Sequence, residues 1–235
     1  MKLPSLTSAR LVRRRKRFLA EAQLPDESIS TVYCPNTGRM LGCSHPGSQI
    51  FLSEHDTAKR KHRYTWELTR TSASLVGVNT SRSNFIVREG IEQGKILKKR
   101  RYASTMAEVK INSRTRLDLR LDRPSGPPCF AEIKNCTLVH PSGAASFPDA
   151  VSSRGTKHLQ ELIELRGAGY PAMVLFLVQR MDANHFVPAW DIDAKYSSWL
   201  VEAWERGVEI LCYDVHITLQ HIEINSSIPV KLQRC

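Results

Sequence analysis

The sequence predicts two domains: an OB-like β-barrel over residues 1–82, followed by an α/β domain with a mixed central sheet over residues 83–235. Five short strand-like runs, separated by turn residues and free of a helical pattern, fill the first 80 or so positions. From residue 83 onward the order becomes helix, three strands, helix, strand, helix, strand. A chain of 235 residues is long enough for one or two such domains.

The barrel is predicted from the runs SARLVRRRKRFLAEAQL, STVYC, QIFLSE, YTWELTR and SLVGVNT. We expect Phe18 and Trp66 to pack in its core, whereas Tyr33 or Tyr64 could stack on a base, as aromatic side chains do in OB-folds. The loop CPNTGRMLGC is either a tight barrel corner or a phosphate-binding loop that uses backbone N–H groups. The sequence favours neither reading of the loop.

The second domain begins with the pattern SNFIVREGIEQGKI, which predicts a helix that Ser83 or Asn84 could cap. Three strand-like runs follow, MAEVKIN, TRLDLRLD and CFAEIKNCTL, and the turn-rich RPSGPP joins the last two. A helix is predicted over residues 152–165, and the wholly apolar AMVLFLV is typical of a buried strand. A helix in DAKYSSWLVEAWERG, ended near Gly207, and the strand VEILCY complete the domain.

The charge is strongly basic and unevenly distributed. The formal net charge is +11, and residues 1–84 hold 14 Lys and Arg against 6 Asp and Glu, whereas residues 85–235 hold 20 against 17. A polyanion, with nucleic acid first, is therefore the expected partner of the barrel, although charge alone also fits a membrane surface or an acidic protein. In an alternating strand only about half of a basic run faces a ligand. The candidate nucleic-acid-binding residues here are Arg13, Arg14, Arg15, Lys16, Arg17, Lys59, Arg60 and Lys61.

The sequence lacks the features of an exported or membrane-spanning protein. No apolar h-region follows the N-terminus, and no apolar run approaches the ~20 residues that cross a bilayer, so we predict a cytoplasmic protein. Its six cysteines have neither CxxC pairing nor a zinc-like spacing with histidine. We expect them to be reduced thiols that pack as small apolar groups.

Two of the predicted strands carry acidic and basic side chains where chemistry is expected. In TRLDLRLD a period of two places Asp118 on the polar face, and in CFAEIKN it places Glu132 and Lys134 together on one face. If the two strands form a hairpin, the three side chains converge. Two carboxylates then offer oxygen ligands to Mg²⁺ or Mn²⁺, and the ammonium group can orient a water molecule or offset phosphate charge.

The plainer interpretation is a solvated ion pair on an exposed strand. The ExK spacing occurs twice, because Glu108 and Lys110 repeat it in AEVKI. Only Glu132 has a lone Asp on the strand before it, so we predict that Glu108 and Lys110 form no second site.

The helix predicted over residues 152–165 brings further polar groups. Arg154 and Lys157 near its start are expected to contact phosphate. His158 is either a catalytic acid or base or, as is more common for a lone histidine, the partner in a structural hydrogen bond.

This arrangement resembles the PD-(D/E)XK nuclease superfamily, with Leu117-Asp118 in place of Pro-Asp and Glu132-Ile133-Lys134 as the (D/E)XK element. The resemblance implies a restriction-endonuclease-like domain in which Asp118, Glu132 and Lys134 are catalytic. It also implies that Glu89 on the first helix is the additional acidic residue, serving catalysis and the metal together with Asp118 and Glu132.

A resemblance to the sugar fermentation stimulation protein A family covers more of the chain. It is carried by RRRKRFLAEA, TVYCPNTGRMLGC, YTWEL, VGVNT, EIKNCTL, FPDAVSSRGTKHL and LFLVQR, in order from residue 13 to residue 180. The resemblance implies a bacterial DNA-binding protein, with DNA favoured over RNA, and a link by name to sugar metabolism. Two functions stay open: a metal-dependent nuclease, and a DNA-binding regulatory protein that uses a nuclease fold only as a platform.

Overall fold

The computed structural model describes residues 1–56, 61–98, 102–112 and 115–233. These residues form two layers of structure, a barrel and a helix-covered sheet, which pack directly on one another. The predicted architecture of an N-terminal barrel followed by an α/β domain is confirmed.

The barrel consists of six strands in the order β3-β2-β1-β4-β5-β6, and an extra pairing of β3 with β5 closes it. Its core contains Trp66, which is fully buried, together with Leu11, Ile50 and Leu52. The strands are β1 (Leu6–Arg15), β2 (Leu19–Gln23), β3 (Ile29–Tyr33), β4 (Gln49–Glu54), β5 (Tyr64–Arg70) and β6 (Leu75–Gly77).

The first basic run is a hairpin and not a single strand. Lys16 adopts φ of 55°, a left-handed conformation that reverses the chain between β1 and β2. Phe18, expected in the core, is instead 49% exposed because it lies in this turn.

The second domain is built on a mixed sheet in the order β15-β14-β12-β9-β8-β7. β12 lies at its centre and is buried along its whole length, as the unbroken apolar run AMVLFLV predicts. The strands are β7 (Ser104–Lys110), β8 (Arg116–Asp122), β9 (Cys129–Cys136), β12 (Ala172–Val178), β14 (Glu209–Ile217) and β15 (Ile222–Ser227).

In the described part of the chain, three α-helices cover the sheet. α1 (Ser83–Glu92) follows a 3₁₀ turn that Asn79 caps, so neither Ser83 nor Asn84 is its cap. Ser152 caps α2 (Ser153–Gly167) and Asp193 caps α3 (Ala194–Glu205), both by accepting backbone N–H groups.

A small three-stranded sheet and the last strand were not predicted. β10 (Leu138–Val139), β11 (Ala144–Phe147) and β13 (His185–Pro188) form the small sheet, and β15 follows a tight turn. The runs are two to six residues long, so their periodicity is too short to distinguish them from loops.

The barrel and the second domain share a core. Phe51, Leu68 and Leu75 of the barrel pack in the same apolar cluster as Ile86 and Val87 of α1. The boundary between residues 82 and 83 therefore stays a prediction, because apolar contacts cross it.

A buried ion pair joins strand β5 to Arg82, the residue before α1. Glu67, only 2% exposed, accepts two hydrogen bonds from Arg82, at 3.0 and 2.8 Å, and one each from Ser53 and Asn79. Burial would raise the pKa of Glu67, but Arg82 and the other donors hold it below its usual range. The ion pair thus holds the residue that directly precedes α1 against the barrel.

Among the residues described, no helix is long and apolar enough to cross a bilayer. The five cysteines in this part of the chain are buried thiols that are not in disulfides, as expected. The cytoplasmic location stays a prediction.

Candidate active site

The candidate site lies where the pairing of β8 with β9 ends. The ladder ends at the pair of Leu119 with Ala131, and one step further in the same register Asp118 lies across from Glu132. Asp118 Oδ2 accepts the backbone N–H of Ile133 at 2.8 Å, and Oδ1 accepts Asn84 Nδ2 from α1 at 3.1 Å. The Asp118 carboxylate is thus held in place from two sides.

Glu132 is the most enclosed group of the site, with 4% of its surface exposed. Its Oε1 accepts a 2.6 Å hydrogen bond from Lys134 Nζ and contacts His158 Nδ1 on α2. Its Oε2 is buried and, among the residues described, has no hydrogen-bond partner. A buried carboxylate oxygen without a donor is a costly arrangement unless something else binds it.

The electrostatics of the two carboxylates differ. Burial, followed by the charge of Glu132, raises the pKa of Asp118. Burial would also raise the pKa of Glu132, but Lys134 and His158 outweigh it and hold that pKa below its usual range. Two adjacent carboxylates with opposite shifts are typical of a functional site, although structural ion pairs also produce such shifts.

His158 links the cluster to a surface cation. Its Nε2 accepts Arg154 Nε at 3.4 Å while its Nδ1 faces Glu132, which requires the tautomer with the proton on Nδ1. The structural reading of His158 therefore fits the geometry, because the ring fixes the carboxylate of Glu132.

These side chains line a cleft of about 770 Å³ between the two domains. The barrel contributes Arg17, Tyr33 and residues 35–38, and the second domain contributes the acidic cluster, part of α1 and the start of α2. Clefts between domains are common places for ligand sites.

The donor set fits a divalent cation. Mg²⁺ is often held by one or two carboxylates, with water and substrate phosphates as its other ligands. Asp118 and Glu132 supply such a pair, and Glu132 Oε2 is an oxygen without a partner among the described residues. In the same residues no group of three His, Cys, Asp and Glu side chains is arranged to hold a metal alone.

The expected third carboxylate, Glu89, is not at the site. It forms an ion pair with the N-terminal amino group of Met1, which also donates to the carbonyl of Ile222. Asn84, Phe85 and Arg88 of α1 line the cleft, whereas Glu89 does not. The prediction that Glu89 is a catalytic and metal-binding residue is therefore corrected.

The structure brings together Asp118, Glu132 and Lys134 but not Glu108 and Lys110. Glu108 lies across from Asp118 and lines the cleft, but its exposed carboxylate pairs with Arg116 at 3.1 Å. Glu108 and Lys110 make no second cluster of the same kind, as the strand order predicts.

The side chains of the basic run at residues 13–17 have different roles. Arg13 and Arg15 both pair with Glu21, at 2.6 and 2.7 Å. Arg14 donates to the carbonyls of Asn36, Arg17 and Gly38, so its guanidinium group shapes the loop instead of facing solvent.

Lys16 and Arg17 are the members of the run that remain available to a ligand. Both line a smaller pocket of about 460 Å³, and Arg17 also lines the main cleft. This smaller pocket includes Arg39.

The other predicted phosphate contacts are placed unequally. Arg154 lines the cleft, whereas the exposed Lys157 on the same helix does not, and neither does the exposed Lys61. Lys59 and Arg60 lie outside the described residues.

Three side chains at the cleft were not predicted in these positions. Asn84 holds Asp118, Arg88 lines the cleft, and Phe85, which also lines it, is 62% exposed. The spacing of Asn84 and Arg88 was the available signal, since residues at i and i+4 share a helix face.

Two family models match the chain. One, described as the SfsA N-terminal OB domain, matches residues 12–78, and the other, the sugar fermentation stimulation protein RE domain, matches residues 81–221.

Similar proteins cover nearly the whole chain. Sugar fermentation stimulation protein homologs from Acidithiobacillus ferrooxidans and Pelobacter propionicus are 43% and 44% identical, over 98% and 99% of this chain and 99% and 100% of their own lengths. The solved structure of Pyrococcus furiosus SfsA in complex with Ca²⁺ matches with a TM-score of 0.88 and 26% identity, over 98% of each chain.

Proposed function

The chain belongs to the sugar fermentation stimulation protein family, and from this premise we propose that it is a metal-dependent nuclease that cleaves phosphodiester bonds, in DNA rather than RNA. The observation that carries the proposal is the buried Oε2 of Glu132, which has no partner among the described residues, on a side chain across from Asp118 in the strand register.

The residues of the cluster have distinct roles in this proposal. Asp118 and Glu132 would hold Mg²⁺ or Mn²⁺, and a bound divalent cation supplies Lewis acidity toward a phosphoryl oxygen and an acidified water molecule. Lys134 Nζ, 2.6 Å from Glu132 Oε1, offsets the negative charge that develops on a phosphate. His158 keeps the carboxylate of Glu132 in position.

The cations of the cleft would bind the substrate backbone. Arg17, Arg88 and Arg154 line it together with the acidic cluster, so phosphates can lie on arginines while one phosphate lies over the carboxylates. The Ca²⁺ complex of the Pyrococcus furiosus relative adds support, since Ca²⁺ and Mg²⁺ both prefer oxygen ligands.

The side chains of α1 provide an observation in favour of a second function. Arg88 faces the cleft where the resemblance implies an acidic residue, and Glu89 is turned away. A cation on α1 beside the pair of Asp118 and Glu132 favours phosphate binding over metal binding. The alternative is therefore a non-catalytic, largely non-specific DNA-binding regulatory protein linked to sugar metabolism.

Cleavage assays with purified protein separate the two functions. Single- and double-stranded DNA and RNA are incubated with Mg²⁺, Mn²⁺ or EDTA, using wild type, Lys134→Ala and Glu132→Gln. The nuclease cleaves only with metal, and both variants lose most of the activity. Asp122→Asn, an acidic residue of the same strand that pairs with Ser104 and Arg120, is the matched control and keeps full activity.

Persistent cleavage in Lys134→Ala and Glu132→Gln would locate the activity elsewhere. Tight binding without cleavage of any substrate would refute the nuclease and support the alternative, a non-catalytic DNA-binding regulatory protein.

A further inference from the structure

Two exposed aromatic rings lie in the cleft beside the cations. Phe85 on α1 is 62% exposed and Tyr33 at the end of β3 is 36% exposed, and both line the cleft. Single exposed apolar side chains are ordinary on protein surfaces, so exposure alone indicates nothing. Their position is informative, because each domain contributes one of these two exposed rings to the cleft that holds the acidic cluster.

Phe85 lines the same cleft as Asp118 and Glu132. Its neighbour Asn84 donates to Asp118 Oδ1 at 3.1 Å, and Arg88, one helical turn further on, faces the same cleft. A nucleotide whose phosphate lies at Asp118 and Glu132 therefore has its base within reach of the Phe85 ring.

The Arg88 side chain has a hydrogen-bond donor that no described residue satisfies. Its Nε is buried and unpaired among the residues described, and its only ion pair there is a 3.9 Å contact with Glu92. A phosphate oxygen would satisfy this donor. The cleft thus combines arginine side chains that can bind phosphates with aromatic rings on which bases can stack.

Aromatic side chains that stack on bases favour single-stranded over double-stranded nucleic acid. In a duplex the base faces are covered by stacking, so only phosphates and groove edges are available to a protein. Proteins that bind single strands instead combine a positively charged groove with aromatic side chains on which bases stack.

We propose that the substrate of this cleft is an unpaired polynucleotide strand whose bases stack on Phe85 and Tyr33 while Arg17, Arg88 and Arg154 hold its phosphates. The inference rests on the proposed function in that it concerns the same cleft. It does not depend on cleavage, since stacking and phosphate binding need no metal.

The test measures binding in EDTA by fluorescence anisotropy, with the full-length protein and four probes: single-stranded DNA, single-stranded RNA, duplex DNA, and an abasic strand of the same length. The abasic strand keeps every phosphate and lacks the bases. Wild type should bind the two single strands more tightly than the duplex or the abasic strand, and the ratio of DNA to RNA affinity identifies the preferred sugar.

The variants separate stacking from charge. Phe85→Leu should weaken binding to single-stranded DNA about 5-fold to 100-fold, the usual range for one stacked base, and leave the abasic strand unaffected. Phe85→Trp should preserve the wild-type affinity. Tyr33→Leu should act in the same direction as Phe85→Leu.

Trp204→Leu is the matched control, because Trp204 is 56% exposed on α3 and lies outside the cleft. It should change nothing. Thermal melting of each variant verifies folding, and Phe85→Trp provides a readout even where a leucine variant melts early.

Equal wild-type affinity for duplex and single strands, or equal losses of Phe85→Leu on abasic and normal strands, would overturn the inference. An unchanged affinity in Phe85→Leu would do the same. Preferred binding of single strands without cleavage in Mg²⁺ would refute the nuclease and leave this inference standing.

Discussion

Replacing Gly38 with alanine tests the contact that holds the barrel loop against the second domain. A Cβ at this position would lie 2.3 Å from Asp149 Oδ1 and 2.6 Å from Oδ2, whereas ordinary contacts begin at 3.4 Å. Oδ2 also accepts the backbone N–H of Met40 at 2.7 Å. The added methyl group must displace this carboxylate by roughly 1 Å, which breaks the hydrogen bond.

The expected loss follows from these two effects. Overpacking costs about 1–3 kcal/mol, and a hydrogen bond to a charged group contributes about 1.5–3 kcal/mol. Because the carboxylate can turn toward solvent, the two do not add fully, and we expect Gly38→Ala to be destabilised by about 2–4 kcal/mol. For a chain of this size the melting temperature should fall by on the order of 10 °C.

Differential scanning calorimetry of four proteins tests this reasoning: wild type, Gly38→Ala, Asp149→Ala and the double variant. Removing Asp149 removes the clash, so the double variant should be as stable as Asp149→Ala alone. Gly167→Ala is the control, because an added Cβ there meets nothing within 4 Å. A Gly38→Ala variant as stable as wild type, or additive losses in the double variant, would refute the clash.

Three further predictions concern charge and burial. Because burial and Glu132 raise the pKa of Asp118, ionised Asp118 destabilises the fold as pH rises through that raised value. Asp118→Asn should therefore melt about 2–4 °C above wild type at neutral pH, which corresponds to a gain of ~1 kcal/mol in the free energy of unfolding. This gain should disappear toward acid pH, where Asp118 of the wild type is protonated. An equal gain at all pH values would contradict the prediction. If about five phosphates are neutralised by the barrel side, log K for nucleic acid should fall with log salt at a slope of about 4, and a flat response in filter binding would exclude electrostatic binding. Burial raises the pKa of Cys43 and Cys136 to about 12, so a maleimide should label neither thiol in the native protein at mildly alkaline pH, as mass spectrometry can check.

The larger strands and helices could be predicted from sequence because their hydrophobic patterns are long enough to recognise. The period-two alternation in TRLDLRLD and the short, wholly apolar run of β12 both predicted strands, and both are strands in the structure. The two later helices were predicted from their patterns, and the structure shows that Ser152 and Asp193 cap them. The short strands β10, β11 and β13 could not be found, because two to four residues carry no period.

The candidate site was predictable to the extent that it depends on strand geometry. Period two and the hairpin order place Asp118, Glu132 and Lys134 together, because both are local consequences of the chain. Glu89 was misplaced because a helix face depends on how the helix packs, and a shift of one residue turns a side chain by about 100°. The use of Arg14 as a clamp for the loop depends on carbonyls more than 20 residues away, which no local pattern reveals.

Calorimetric titration of Mn²⁺ into the full-length protein tests the central claim most directly, because the claim is that Asp118 and Glu132 hold a divalent cation. Wild type and the control Asp122→Asn should bind Mn²⁺ alike, with affinity that falls toward acid pH as protons compete for the carboxylates. Asp118→Asn and Glu132→Gln should lose that binding and, with it, metal-dependent cleavage. Absence of Mn²⁺ binding in wild type, or undiminished binding in both variants, would contradict the account.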